Sequence, residues 1–159
     1  MMEGSIETIF YFVVAILILK GSLYMVKQKN AVIIERLGKF NKVAKAGLHV
    51  KIPLIDTISG NVNLKVRELP VEVETKTKDD VFVKIVVSVQ FFVIDTKDGV
   101  RDSFYELNNP EQQIQSYVFD SIRSEVPLME LDDVFAQKEK IAIAIKNELS
   151  DTMKQFGFD

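Results

Sequence analysis

One stretch, residues 69–93, leaves this chain few folds to choose from. Val81, Val83, Ile85, Val87, Val89, Phe91 and Val93 recur at every second position, and Lys84, Ser88 and Gln90 stand between them. A period of two sustained that long is a strand with one buried face. The preceding residues 69–77 are extended as well, and Lys78-Asp79-Asp80 between the two runs has turn chemistry. Together they predict an antiparallel hairpin with one well-packed side.

The same period begins earlier. Val32 and Ile34 lead into a strand ending near Gly38. Leu48, Val50, Ile52 and Leu54 then alternate with His49, Lys51 and Pro53, and Val62, Leu64 and Val66 alternate again. After Asp95 the pattern turns helical. Residues 98–107 read as a short helix, and Asn108-Asn109-Pro110 reads as the start of a second, with Asn capping free N–H groups and Pro suited to the first turn. Ile114, Tyr117, Val118 and Ile122 line one face of that helix, which ends at Val126 and Pro127. A last helix is expected over 132–156, with Val134, Ile141, Ile145, Leu149, Met153 and Phe156 as its stripe and Gly157 as its stop. Strands come first and helices follow, so the fold class is α+β. At 159 residues the chain is about one domain long.

Chemistry is scarce. With no cysteine and one histidine, disulfides, thiolate sites and two-histidine metal sites are excluded. His49 lies on the polar phase of its strand with no partner ligand in sequence. The seven glycines form no phosphate loop, and no serine stands in a nucleophile elbow. Asp79-Asp80 and Asp132-Asp133 are paired carboxylates, better explained by a hairpin turn and a helix first turn than by catalysis. No catalytic, cofactor or metal residue is expected.

Ahead of the strands stands an unbroken apolar run, Ile9, Phe10, Tyr11, Phe12, Val13, Val14, Ala15, Ile16, Leu17, Ile18 and Leu19. As a helix it measures ~16 Å, half of a hydrocarbon core; extended over residues 6–26 it reaches ~31 Å. The acidic extreme N-terminus and the lack of a small-residue cleavage site argue against a signal peptide. The run reads as a membrane anchor in preference to a buried core helix, and its length leaves spanning and half-insertion both open. Residues 27–51 carry Lys27, Lys29, Arg36, Lys39, Lys42, Lys45 and Lys51 against Glu35 alone, although the whole chain has a net charge of −3. The overall balance argues against nucleic acid. The basic block reads equally as solvated strand faces or as contact with anionic lipid, for which Lys27, Lys29, Arg36 and Lys39 are the candidates. If the anchor spans, the lysines behind it place the C-terminal part in the cytoplasm.

Residues 32–40, with Gly47-Leu48-His49 and Ile52-Pro53, resemble the opening strand and the "G-L-x-x-x-x-P" step of the stomatin/prohibitin/flotillin superfamily, the SPFH or band 7 domain. Residues 74–83 are similar to the central hairpin of its hypersensitive-induced-reaction branch and bacterial relatives. Gln113-Ile114-Gln115, Tyr117-Val118-Phe119-Asp120, Ile122-Arg123, Val126-Pro127 and Leu131-Asp132-Asp133-Val134-Phe135 resemble the branch's helical signature.

The resemblance implies a membrane anchor over 1–26 and an SPFH domain over 27–159. It further implies a scaffold, not an enzyme, that self-associates on one membrane face and regulates membrane proteins such as a protease or channel. No cofactor is implied. The family's long coiled-coil helix would begin where this chain stops, so a fragment is expected. Met2 stands where plant members carry a myristoylated glycine, which argues against transferring their immune role. The other reading is a single-pass adaptor bound to one membrane partner through residues 106–159, where eleven carboxylates face five basic groups.

Overall fold

The computed structural model describes residues 11–13, 16 and 20–159. The chain divides into two compact units, residues 1–64 and 65–159.

In the first unit, the described residues 11–13, 16 and 20–22 are helical and five strands follow. They are β1 (Leu23–Val26), β2 (Asn30–Arg36), β3 (Lys39–Ala44), β4 (Gly47–Val50) and β5 (Asp56–Asn63). β1 pairs antiparallel with β4, and β2 is the middle strand of the sheet β3-β2-β5. A middle strand covered on both faces needs an uninterrupted apolar run, and Ala31, Val32, Ile33 and Ile34 are all buried. Val32 and Ile34 on one face cluster with Ala44 and Val26, and Tyr24 packs against them. One residue of slack breaks the register on each side of β2, at Ile34/Glu35 against β3 and at Ile33/Ile34 against β5. The expected helical stretch to residue 26 stops earlier, because Leu23–Val26 is strand β1, in register with β4 from Leu23↔Val50 to Val26↔Gly47.

The second unit begins with the expected hairpin, β6 (Arg67–Lys76) and β7 (Phe82–Phe91). Register runs without a break from Arg67↔Phe91 to Lys76↔Phe82. The turn is built by side chains. Thr77 Oγ1 donates to Asp79 Oδ1 (2.6 Å) and accepts from Val81 N (3.2 Å). Asp79 Oδ1 also accepts from Leu131 N (3.2 Å), capping a helix that has no side-chain cap of its own. The Thr77 hydrogen bond holds the Asp79 carboxyl below its usual value. Asp79 is therefore a structural carboxylate that ties the hairpin turn to the helical layer.

That layer comprises α1 (Lys97–Tyr105), α2 (Pro110–Glu125), a 3-10 turn (Val126–Leu128), α3 (Leu131–Ala136) and α4 (Lys138–Lys154). Thr96 Oγ1 caps α1 through Gly99 N (3.0 Å), and Asn109 caps α2 through Gln112 N (3.2 Å), with Pro110 in the first turn. α2 buries Ile114, Val118 and Ile122 and packs on β6, where Val71 and Val73 are fully buried. The single last helix expected from the pattern is two helices. At Gln137 the backbone leaves the helical region (φ −107°, ψ 16°). Neither Gly nor Pro marks that break, so the apolar stripe runs through it unpunctuated. α4 buries only Ile145, Leu149 and Met153. An apolar trough of about 1040 Å³ lies between α4 and β7, whose Ile85, Val87 and Val89 are half-buried.

The chain then turns at Gly157 and runs antiparallel to the residues after β7. Phe92 and Asp159 exchange both backbone bonds (2.9 and 3.0 Å), and Ile94 N donates to Gly157 O (2.9 Å). Phe158 is buried beside Phe91, ring centroids 6.2 Å apart.

Candidate functional site

Residues 48–50 alternate as the sequence pattern reads, and it is the apolar phase that faces solvent. Leu23, Met25, Leu48 and Val50 occupy one face of the β1–β4 ladder and all are exposed, Met25 by 77%. The opposite face carries Tyr24 and His49, whose rings stack at 5.6 Å. His49 Nε2 lies 2.6 Å from Lys45 O, and a carbonyl only accepts, so this nitrogen carries the proton. The Tyr24 hydroxyl is buried, and desolvation, with the nearby Asp56 charge, pushes its pKa up. His49 is thus a packing residue. What the ladder offers solvent is a continuous apolar surface, the informative kind of exposure.

The same surface continues into two loops at one end of the unit. Leu37 N donates to Ile55 O (3.2 Å), joining the β2–β3 turn to the β4–β5 loop. One residue inward from that bond, where β2 ends and β5 begins, Arg36 clasps Asp56 with two bonds, Nε to Oδ1 at 2.7 Å and Nη2 to Oδ2 at 3.2 Å. Asp56 Oδ2 also accepts from Ile52 N (3.0 Å), while Asp56 N donates to Ile52 O (2.9 Å), which closes the loop. Exposed Leu37, Ile52, Leu54 and Ile55 stand around this clasp. The helical end of the N-terminal segment meets the same place: Lys51 N donates to Ser22 O (2.8 Å), and a Cβ on Gly21 would rest against Pro53.

The Asp56 carboxyl is buried and lowered to about 2, first by the Arg36 hydrogen bond and then by Ile52 N–H. A carboxyl depressed on folding contributes stability that is complete above its unfolded pKa and is lost as pH falls through the folded one. The stability gap between the parent chain and Asp56→Asn is therefore expected to be constant above about pH 5 and to close between about pH 4 and pH 2. Urea unfolding at successive pH values checks this.

Of the four candidate headgroup residues, the fold brings only two together. Arg36 ends β2 and Lys39 starts β3 across the turn, both at the clasp. Lys27 and Lys29 lie at the opposite end of β2, a seven-residue strand, so ~20 Å away. Lys51, directly before Ile52 of the loop that closes on Asp56, also lies at this end and was not among the four. Its signal was its place immediately before the apolar loop. Of the candidate anchor residues, Ile9, Phe10, Val14, Ala15, Leu17, Ile18 and Leu19 lie outside the described residues, whereas Tyr11, Phe12, Val13 and Ile16 are helical and exposed. Among the described residues no helix is long and apolar enough to cross a membrane, and no group of three or more His, Asp or Glu could hold a metal ion. Asp132 and Asp133 occupy the first turn of α3, where the helix dipole favours them.

Small antiparallel sheets first and a capped helical layer after them define an α+β fold, whose first unit carries an exposed apolar end flanked by basic residues. Residues 24–159 match the SPFH domain / Band 7 family, and the chain belongs to that family. It is similar to hypersensitive-induced response protein 4 of Arabidopsis thaliana, 41% identical over 84% of this chain and 45% of that protein. It is also similar to stomatin-like protein stl-1 of Caenorhabditis elegans, 32% identical over 72% of this chain and 34% of that protein. Mitochondrial stomatin-like protein 2 of Bos taurus is 27% identical over 83% of this chain and 36% of its own length. The chain spans less than half the length of these relatives.

Proposed function

We propose that this chain acts as a membrane-anchored scaffold that self-associates, organises a membrane microdomain and regulates membrane proteins such as a protease or channel. It performs no chemistry of its own. The observation that carries the reading is the coincidence at one end of the first unit: the exposed apolar ladder, the apolar loops, Lys39 and Lys51, and the point where the chain arrives from its apolar N-terminal run. Residues 9–19 supply the anchor, and the remainder presents the folded part to the cytoplasmic side. Lys39 and Lys51, with Arg36 tied to Asp56, meet acidic headgroups. Lys27 and Lys29 stand about two Debye lengths further off and add less. Each anchored copy contributes weak lipid and lateral contacts that sum once copies adjoin.

Two measurements on the full chain test this. Alkaline carbonate is expected to leave it in the membrane pellet, and its molar mass in detergent is expected to be large and narrow. Release by carbonate together with a monomeric mass would sink the reading, and a membrane-bound monomer would favour the single-partner adaptor. Lys39→Glu with Lys51→Glu is expected to weaken association with anionic vesicles by at least tenfold at low salt, since a basic residue near such a surface contributes about 1 kcal/mol.

A further inference from the structure

We propose that Leu37 and Leu54 form a paired wedge that enters the hydrocarbon of an anionic bilayer, an inference that rests on the membrane reading above and gives it a contact. Both leucines sit in left-handed backbone, φ 50° and 71°. That region suits Gly, Asn or Asp, and for a large side chain it is strained. Such strain persists only where the surroundings impose it, and it gathers at functional positions. Here the surroundings are visible: the Leu37 N to Ile55 O bond, the double Arg36–Asp56 clasp and the Ile52 bonds to Asp56. This frame holds Leu37 79% exposed and Leu54 103% exposed. Folding gains nothing from a leucine in water on a backbone that glycine would adopt freely. A lipid phase rewards both side chains.

Charge and continuity select the occupant. The tip's buried carboxylate, Asp56, is neutralised by Arg36, and Lys42, which donates to Val50 O, stands with Lys39 and Lys51 against Glu35, so the end is net positive. A positive rim around apolar residues fits acidic headgroups over acyl chains. The exposed face of the β1–β4 ladder runs on from the tip, and Ser22, where the chain arrives from the apolar run, is bonded to Lys51. A bilayer engaged by that run meets the wedge first.

The chain contains no tryptophan, so one introduced indole reports alone. Leu54→Trp and, separately, Leu37→Trp would be placed in the full chain and reconstituted into phosphatidylcholine–phosphatidylglycerol vesicles. Leu128→Trp, in the 3-10 turn of the second unit and 73% exposed, is the control. The indoles at 54 and 37 are expected to shift to the blue and to be quenched at least twofold by lipids brominated on the acyl chain. The control indole is expected to do neither. Two reporters on separate loops guard against one variant failing to fold. If the chain resists carbonate extraction but neither tip indole is quenched, the wedge is overturned while the scaffold reading stands. If the chain is also released by carbonate, both fall.

Discussion

Gly157→Ala is expected to free the C-terminal segment from the residues after β7 and to destabilise the second unit by about 2–5 kcal/mol. Two costs combine. Gly157 has φ 79°, and a Cβ there costs about 1–2 kcal/mol in conformation alone. That Cβ would also fall on the Gly99 carbonyl oxygen, backbone that cannot swing aside as a side-chain tip would. Overpacking of this kind adds about 1–3 kcal/mol. Gly38 separates the two costs, because its φ is 77° and nothing lies within 4 Å of an added Cβ. Gly38→Ala should therefore show the conformational part only. Hydrogen exchange supplies the local readout: the Phe92 and Ile94 amides, bonded to Asp159 O and Gly157 O, should lose protection in Gly157→Ala and keep it in Gly38→Ala. Retained protection in Gly157→Ala would mean that the junction yields more readily than its backbone contacts allow.

Ile34→Ala is expected to cost the first unit about 2–5 kcal/mol, the range for emptying a fully buried isoleucine site. Ile34 is 0% exposed at the centre of β2 and packs with Val26, Val32 and Ala44. Its cross-strand neighbour in β5, Ile58, is 43% exposed. Ile58→Ala should cost about 1 kcal/mol or less, since it deletes similar atoms from a site water already reaches. Urea unfolding of the two variants tests whether burial, and not the side chain itself, sets the loss. Equal effects would place the core elsewhere.

Much of the second unit was legible in the sequence because local chemistry and tertiary contact agree there. The β6–β7 hairpin, its turn at residues 78–80, the Asn109–Pro110 helix start and the Gly157 stop each rest on a residue whose intrinsic preference the fold uses. The first unit was read less well. β1 lies at the end of an apolar run whose composition suits a helix, and only its pairing with β4 makes it extended. Leu48 and Val50 alternate as a core strand does, and alternation cannot say which face finds a partner. The tip was missed for a related reason. Leu37 and Leu54 stand 17 positions apart, and no local signal marks a leucine at positive φ. The split of the basic residues came likewise from strand direction, which sends Lys29 and Lys39 to opposite ends of one sheet. The family resemblance, carried by the helical signature, holds over residues 24–159.

The trough beside β7 has a consequence for how this chain behaves in a test tube. Because Phe92 turns its N–H and C=O toward Asp159, regular alternation points those of Gln90, Ser88, Val86 and Lys84 the same way. Among the described residues β7 pairs along its length with β6 alone, so that row of groups meets no neighbouring strand. A ten-residue border rich in valine and open on one side is a template for foreign backbone. The hairpin closes through short-range contacts and forms early, whereas α4 must come from fifty residues further on to overhang it. Refolding from denaturant is therefore a race between that overhang and intermolecular pairing. Yield should fall steeply with protein concentration, and the Lys84–Glu72 ion pair (2.7 Å) on the solvent face keeps charge beside the vulnerable border.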